Sequence, residues 1–143
     1  VRSYKTIFRY IRFCIMVTLL IISSILIIIS AICRAISDTI SHHYDESIFN
    51  KNKWFNTAIS WNNKYKNGNK SEGSKFFGST TIFVMFTDAW HFFEFLFRVN
   101  LIFGFFFIGL IPLKLNYLLI LPAYLLWALI FHIYYSYIFI KKK

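Results

Sequence analysis

The chain is poor in the residues that most soluble enzymes use for chemistry. It holds only six acidic residues, four histidines, two cysteines, two prolines and five glycines in 143 residues. The cysteines, Cys14 and Cys33, share one apolar run. In a helix, 19 residues separate them by about 28 Å, which excludes a bond between them. No CxxC pair exists, so neither a disulfide framework nor a cysteine metal site is encoded. The glycines form no phosphate-binding loop, and no G-x-S-x-G or H-E-x-x-H motif occurs. Four histidines are too few for the histidine boxes of membrane di-iron oxygenases.

Apolar side chains take the place of these groups. They make up 57% of the chain, aromatics make up 22%, and there are 18 phenylalanines. A water-exposed domain of this size buries too little of its surface to hide them. The composition therefore predicts an all-α, polytopic membrane helix bundle forming one domain. Basic residues outnumber acids by 16 to 6, a net charge of +10. They flank the apolar runs or crowd one polar loop, a pattern that suits lipid headgroups. No fold signal of a nucleic-acid module accompanies them, so membrane lipids are the expected partners and nucleic acid is not.

Phe13 to Cys33 is 21 residues without charge, roughly 30 Å as a helix and enough to cross the hydrocarbon core. It is longer than a signal-peptide core and lacks a good cleavage site before Arg34, so a retained helix is expected. Ile36, Ile40 and Tyr44 allow the helix to continue past the lipid. Asn50 to Lys75 reads as polar loop. Trp54, Phe55 and Trp61 interrupt it and are expected to dip into the interface. Residues 76–112 read as one long helix that starts outside the lipid and enters near Phe93 to Arg98. Pro112 ends it. Leu115 to Ile140 is a further full-length run, with Pro122 as a point of bending. The expected spans are 13–33, 93–112 and 115–140, with juxtamembrane helices and loop over 34–92. A four-span form, with 76–112 split into a re-entrant pair, is the alternative.

Orientation receives two opposed signals. Arg2, Lys5, Arg9, Arg12 and Lys114 give five basic residues on the N-terminal side. Arg34, Lys51, Lys53, Lys64, Lys66, Lys70, Lys75 and Lys141 to Lys143 give ten on the other. The count places the polar loop in the cytoplasm, while the arginines that lead the first helix argue the reverse.

Two charged clusters carry what chemistry the sequence offers. Arg34, Asp38 and His42 recur every four residues and share a helical face, with His43, Asp45 and Glu46 behind them. Asp88, His91, Glu94 and Arg98 are spaced by three and four. The topology brings both clusters to one depth on one side. Asp38, His42, Asp88 and His91, with His43 as alternate, are then candidate ligands for zinc, manganese or iron. A bound metal could activate water beside a lipid headgroup, with Glu94 or Asp45 as a candidate catalytic base. The plainer reading pairs Asp38 with Arg34 and Glu94 with Arg98 along helix surfaces. Glu94 and Arg98 lie where the helix enters lipid, so their face is expected to pack on protein. His132 is expected to be a packed or interfacial histidine.

The segments S-D-T-I-S-H-H-Y-D-E-S-I-F (Ser37 to Phe49), I-S-W-N-N-K-Y-K (Ile59 to Lys66) and G-S-T-T-I-F-V-M-F-T-D-A-W-H (Gly78 to His91) resemble a group of short, uncharacterised bacterial integral membrane proteins. The resemblance covers the middle of the chain. It implies membrane residence, in a bacterial inner membrane, and that these segments form one unit. It implies no activity. Three function classes follow. The first is a structural or accessory subunit that meets other membrane subunits or itself. The second is a metal-dependent enzyme acting on lipid or a lipid-linked substrate at the headgroup interface. The third is a transporter component, which has little behind it beyond one intramembrane charge pair.

Overall fold

The computed structural model describes Arg2 to Lys141, and for Arg2, Ser3, Lys5 and Leu113 to Leu115 the backbone alone. Lys142 and Lys143, two of the ten basic residues counted above, lie outside the described residues. The chain is all-helical. Helix α1 runs over Arg2–His42, a short α2 over Thr57–Ser60, α3 over Ala89–Gly109 and α4 over Leu113–Ile133. Among the described residues, strand-like pairing is limited to two isolated bridges, Ser47 with Ile140 and Tyr65 with Ser74. Among the described residues, three helices are long and apolar enough to cross a membrane: Thr6–His42, Ala89–Gly109 and Asn116–Ile138.

Helices α1 and α3 form the main interface and run antiparallel, since Ser23 meets Gly104 while Arg34 and Ser37 meet Glu94. The crossing is tight because Gly104 has no side chain. A Cβ there would stand 2.9 Å from Ile27 Cγ1. The Ser23 hydroxyl instead donates to the Gly104 carbonyl at 2.8 Å. Ser23, Ser30 and Ser37 are all buried and recur every seven residues, a spacing that keeps one helical face on a neighbour. Small residues on that seam let two backbones approach, as they do between membrane helices generally. Ser30 returns its proton to the Ile27 carbonyl at 2.8 Å, so its burial leaves no donor stranded.

Leu110 to Pro112 turn the chain from α3 into α4, and Pro112 takes the position before the first turn of α4. Proline suits a helix start, where its missing N–H is not needed. Pro122 lies inside α4, and the helix runs through it. After Ile133 the chain passes into a wider π-helical turn, Tyr134–Ile138.

The polar segment is folded onto the helix ends and is not a free loop. Ala35, Ile36 and Ile40 of α1 are buried with Ala89 of α3 and Phe139 from the C-terminus. Phe49, Trp54 and Phe55 close over them. Phe49 stacks on Phe55 with ring centres 4.8 Å apart, and Phe55 reaches Phe93 at 6.0 Å. Trp54 and Phe55 thus pack on the helix ends. Trp61 is the more exposed of the interrupting aromatics and sits beside Tyr65 and the Lys64 ammonium. The C-terminus is tied in by Ile48 N–H to Phe139 O at 3.0 Å and Lys141 N–H to Glu46 O at 2.8 Å.

The long helix expected over 76–112 begins only at Ala89. Residues 76–88 form turns and a short 3-10 helix, Val84–Phe86. Gly78 takes φ +75°, a conformation that suits glycine, and Asp88 caps α3 in place of extending it.

Candidate functional site

The charged clusters separate into two structures. The first is a network across the α1–α3 seam. Glu94 is 2% exposed, and both its carboxylate oxygens are engaged. Oε1 accepts from Arg34 Nη1 at 2.5 Å and from the Ser37 hydroxyl at 2.9 Å. Oε2 accepts from Arg98 Nη2 at 2.7 Å. The other fork of Arg34 holds Asp38 at 3.0 Å, and the guanidinium carbon lies 5.6 Å from the centre of the Phe97 ring. Two arginines thus balance two carboxylates. A buried carboxylate is tolerated only with such partners. Arg98 is 62% exposed at its side chain, so it closes the network from outside.

The second structure is an Asp–His pair at the start of α3. Asp88 is 2% exposed. Its Oδ1 accepts the backbone N–H of His91 at 3.0 Å, which is the helix cap. Its Oδ2 meets His91 Nδ1 at 2.7 Å and the Thr87 hydroxyl at 3.1 Å. Burial pushes the Asp88 carboxyl up. Hydrogen bonds from the His91 ring, the His91 backbone and Thr87 outweigh it, and the net displacement is below the ordinary aspartate range. A carboxylate only accepts, so His91 Nδ1 carries the proton.

This pair lines a cavity of about 320 Å³ with Ser41, Thr57, Ser60, Trp61 and Trp90. Nearby backbone ties fix its walls. Ala89 N–H donates to Trp54 O at 3.2 Å, and Asn63 Nδ2 donates to Thr87 O at 3.1 Å. The Trp90 ring stands edge-on to the His91 imidazole at 5.0 Å.

Of the four proposed metal ligands only Asp88 and His91 meet, and the set does not gather at one point. Asp38 is turned to Arg34, and Asp88 to His91. His42 lies in another depression with His43, Tyr44, Asp45 and Glu46. There His43 Nδ1 is 3.9 Å from Glu46 Oε2, and Asp45 is exposed. Among the described residues, no three of His, Cys, Asp and Glu gather as a metal shell. The arginine inside the first cluster claims its aspartate, and the helix cap and His91 claim the other. Glu94, the candidate base, is not among the residues lining the Asp88–His91 cavity; its hydrogen-bond partners are Arg34 and Ser37 on α1 and Arg98. His132 is exposed and faces Ser136 at 3.3 Å.

Sequence reasoning passed over Ser37 and Ser60. Ser37 was legible from the seven-residue serine repeat. Ser60 carried no signal at all in a segment rich in polar residues. The chain was compared with protein-family models, with curated proteins and with solved structures, and it matches none of them.

Proposed function

We propose that this chain is an integral membrane protein of three spans that serves as a structural or accessory subunit of a larger membrane complex. A bacterial inner membrane is the setting that the resemblance implies. The observation that carries the reading is the internal use of charge. The carboxylates of Asp38 and Glu94 are held by arginines of the same chain, and Asp88 by its own helix cap and His91. An interfacial metal enzyme built on these residues would first have to break those contacts. What the chain offers outward is apolar and aromatic. Ile102, Phe103 and Phe106 on α3 and Tyr117, Leu118 and Leu121 on α4 are exposed, a surface suited to lipid and to neighbouring helices.

Site-specific photocross-linking in native membranes tests this. Photoreactive residues placed singly at Phe106 and Leu121 are expected to give a discrete protein adduct that survives Asp88→Ala. Labelling of lipid alone at both positions, with the chain intact, would overturn the subunit reading.

A further inference from the structure

The cavity beside Asp88 and His91 has an unused hydrogen-bonding set. Ser60 is 2% exposed, and its buried hydroxyl finds no partner among the described residues. The other two hydroxyls on the wall are committed: Ser41 donates to Ser37 O at 2.8 Å and Thr57 to Ile40 O at 3.3 Å. A buried hydroxyl without a partner costs the fold free energy unless something supplies one. On the same wall, Asp88 engages His91 at Nδ1, which leaves Nε2 for a further hydrogen bond. The cavity therefore combines the Ser60 hydroxyl, the His91 ring and two indole walls, Trp61 and Trp90.

We infer that this cavity binds a neutral, hydroxyl-bearing amphiphile, whose hydroxyl pairs with His91 Nε2 and whose oxygen accepts from Ser60. The Asp88 carboxylate on the wall opposes an anion. Both its oxygens are already hydrogen-bonded, so it offers little to a cation. The volume lies at the small end of ligand sites, enough for a glycerol-sized head and the first carbons of a chain. The site stands at the loop-side ends of α1 and α3, so on the three-span reading an amphiphile reaches it without leaving the membrane surface.

The test uses the full chain in phosphatidylcholine nanodiscs and a monoacylglycerol probe with a diazirine near its ester. The matching fatty acid methyl ester, which lacks hydroxyls, is the control. Incorporation into the discs checks membrane placement separately. The monoacylglycerol probe is expected to label peptides containing Trp61 or Trp90 about fivefold more than the methyl ester. Unlabelled monooleoylglycerol should compete. Ser60→Ala and His91→Phe should each drop labelling to the control level. Ser60→Ala also removes the stranded hydroxyl, so its thermal midpoint should hold or rise while binding falls. That variant decides the matter if His91→Phe fails to fold. Equal labelling by both probes, or labelling unchanged in Ser60→Ala, would overturn the site and identify ordinary lipid contact.

Discussion

The two halves of α1 differ completely in what they touch. From Tyr4 to Ile22 none of the described side chains is buried, and Ile7, Phe8, Tyr10, Ile11 and Phe13 are exposed. From Ser23 to Ile40 the same helix buries Ile27, Ala31, Ala35 and Ile40, together with Ser23, Ser30 and Ser37. The half that packs is the one whose buried face carries serines and alanines. In a chain so rich in isoleucine and phenylalanine, hydrophobicity says which segments leave water. It does not say which faces meet. Contact is marked by residues that let backbones approach or that need a partner.

The sharpest way to break this contrast is to remove a partner from the buried carboxylate. Arg34→Met leaves Glu94 with Arg98 and Ser37 alone and is expected to destabilise the bundle by about 3–5 kcal/mol. Arg12→Met, in the exposed half, should change little. Unfolding in mixed detergent micelles, followed by circular dichroism, separates the two. The crossing point comes next. Gly104→Val should cost about 1–3 kcal/mol by forcing Ile27 aside. Gly109→Ala, with nothing within 4 Å of its added Cβ, should be neutral in the same assay.

Asp88→Ala removes the α3 cap and is expected to cost about 0.5–2 kcal/mol near neutral pH. The folded carboxyl lies below its ordinary range. Its contribution is therefore complete above about pH 4, where an unfolded aspartate is ionised, and is lost as pH falls through the lower folded value. Amide exchange at His91 to Phe93 should quicken at the acid end in the native chain, and be already fast and flat in the variant. The smallest effect is Ser23→Ala, about 0.5–1.5 kcal/mol for the bond to Gly104 O. Ser24→Ala, on the exposed side of the same turn, should be silent.

Much of this frame is legible in the sequence. Three apolar runs gave three helices, and the four-residue spacings gave Arg34–Asp38 and Glu94–Arg98 as drawn. The three-residue spacing also joined Asp88 to His91, although through a cap and not along a helix face. The link between Arg34 and Glu94 was not legible. Periodicity fixes where a side chain lies around its own helix, while the pairing needs the rotation of α3 against α1, which is set at Ser23, Ile27 and Gly104. Nor does periodicity show that, with Asp38 turned to Arg34 and Asp88 to His91, no three candidate ligands gather among the described residues. The turns over 76–88 were hidden by their apolar residues, which look helical until Gly78 and Asp88 are read as a turn and a cap. The packing of Trp54 and Phe55 on the helix ends depends on contacts across 30 or more residues that no local pattern records.

The central claim is that the α1–α3 charge network is structural, and that the chain works through its outward surface. The most direct test is the double variant Arg34→Met/Glu94→Leu, measured for stability and for photocross-linked adduct from Phe106. The account predicts that the double variant is more stable than Arg34→Met alone, because the stranded carboxylate is gone, and that it keeps the adduct. A double variant that folds stably yet loses the adduct would contradict it, and would give Glu94 a role beyond holding two helices together.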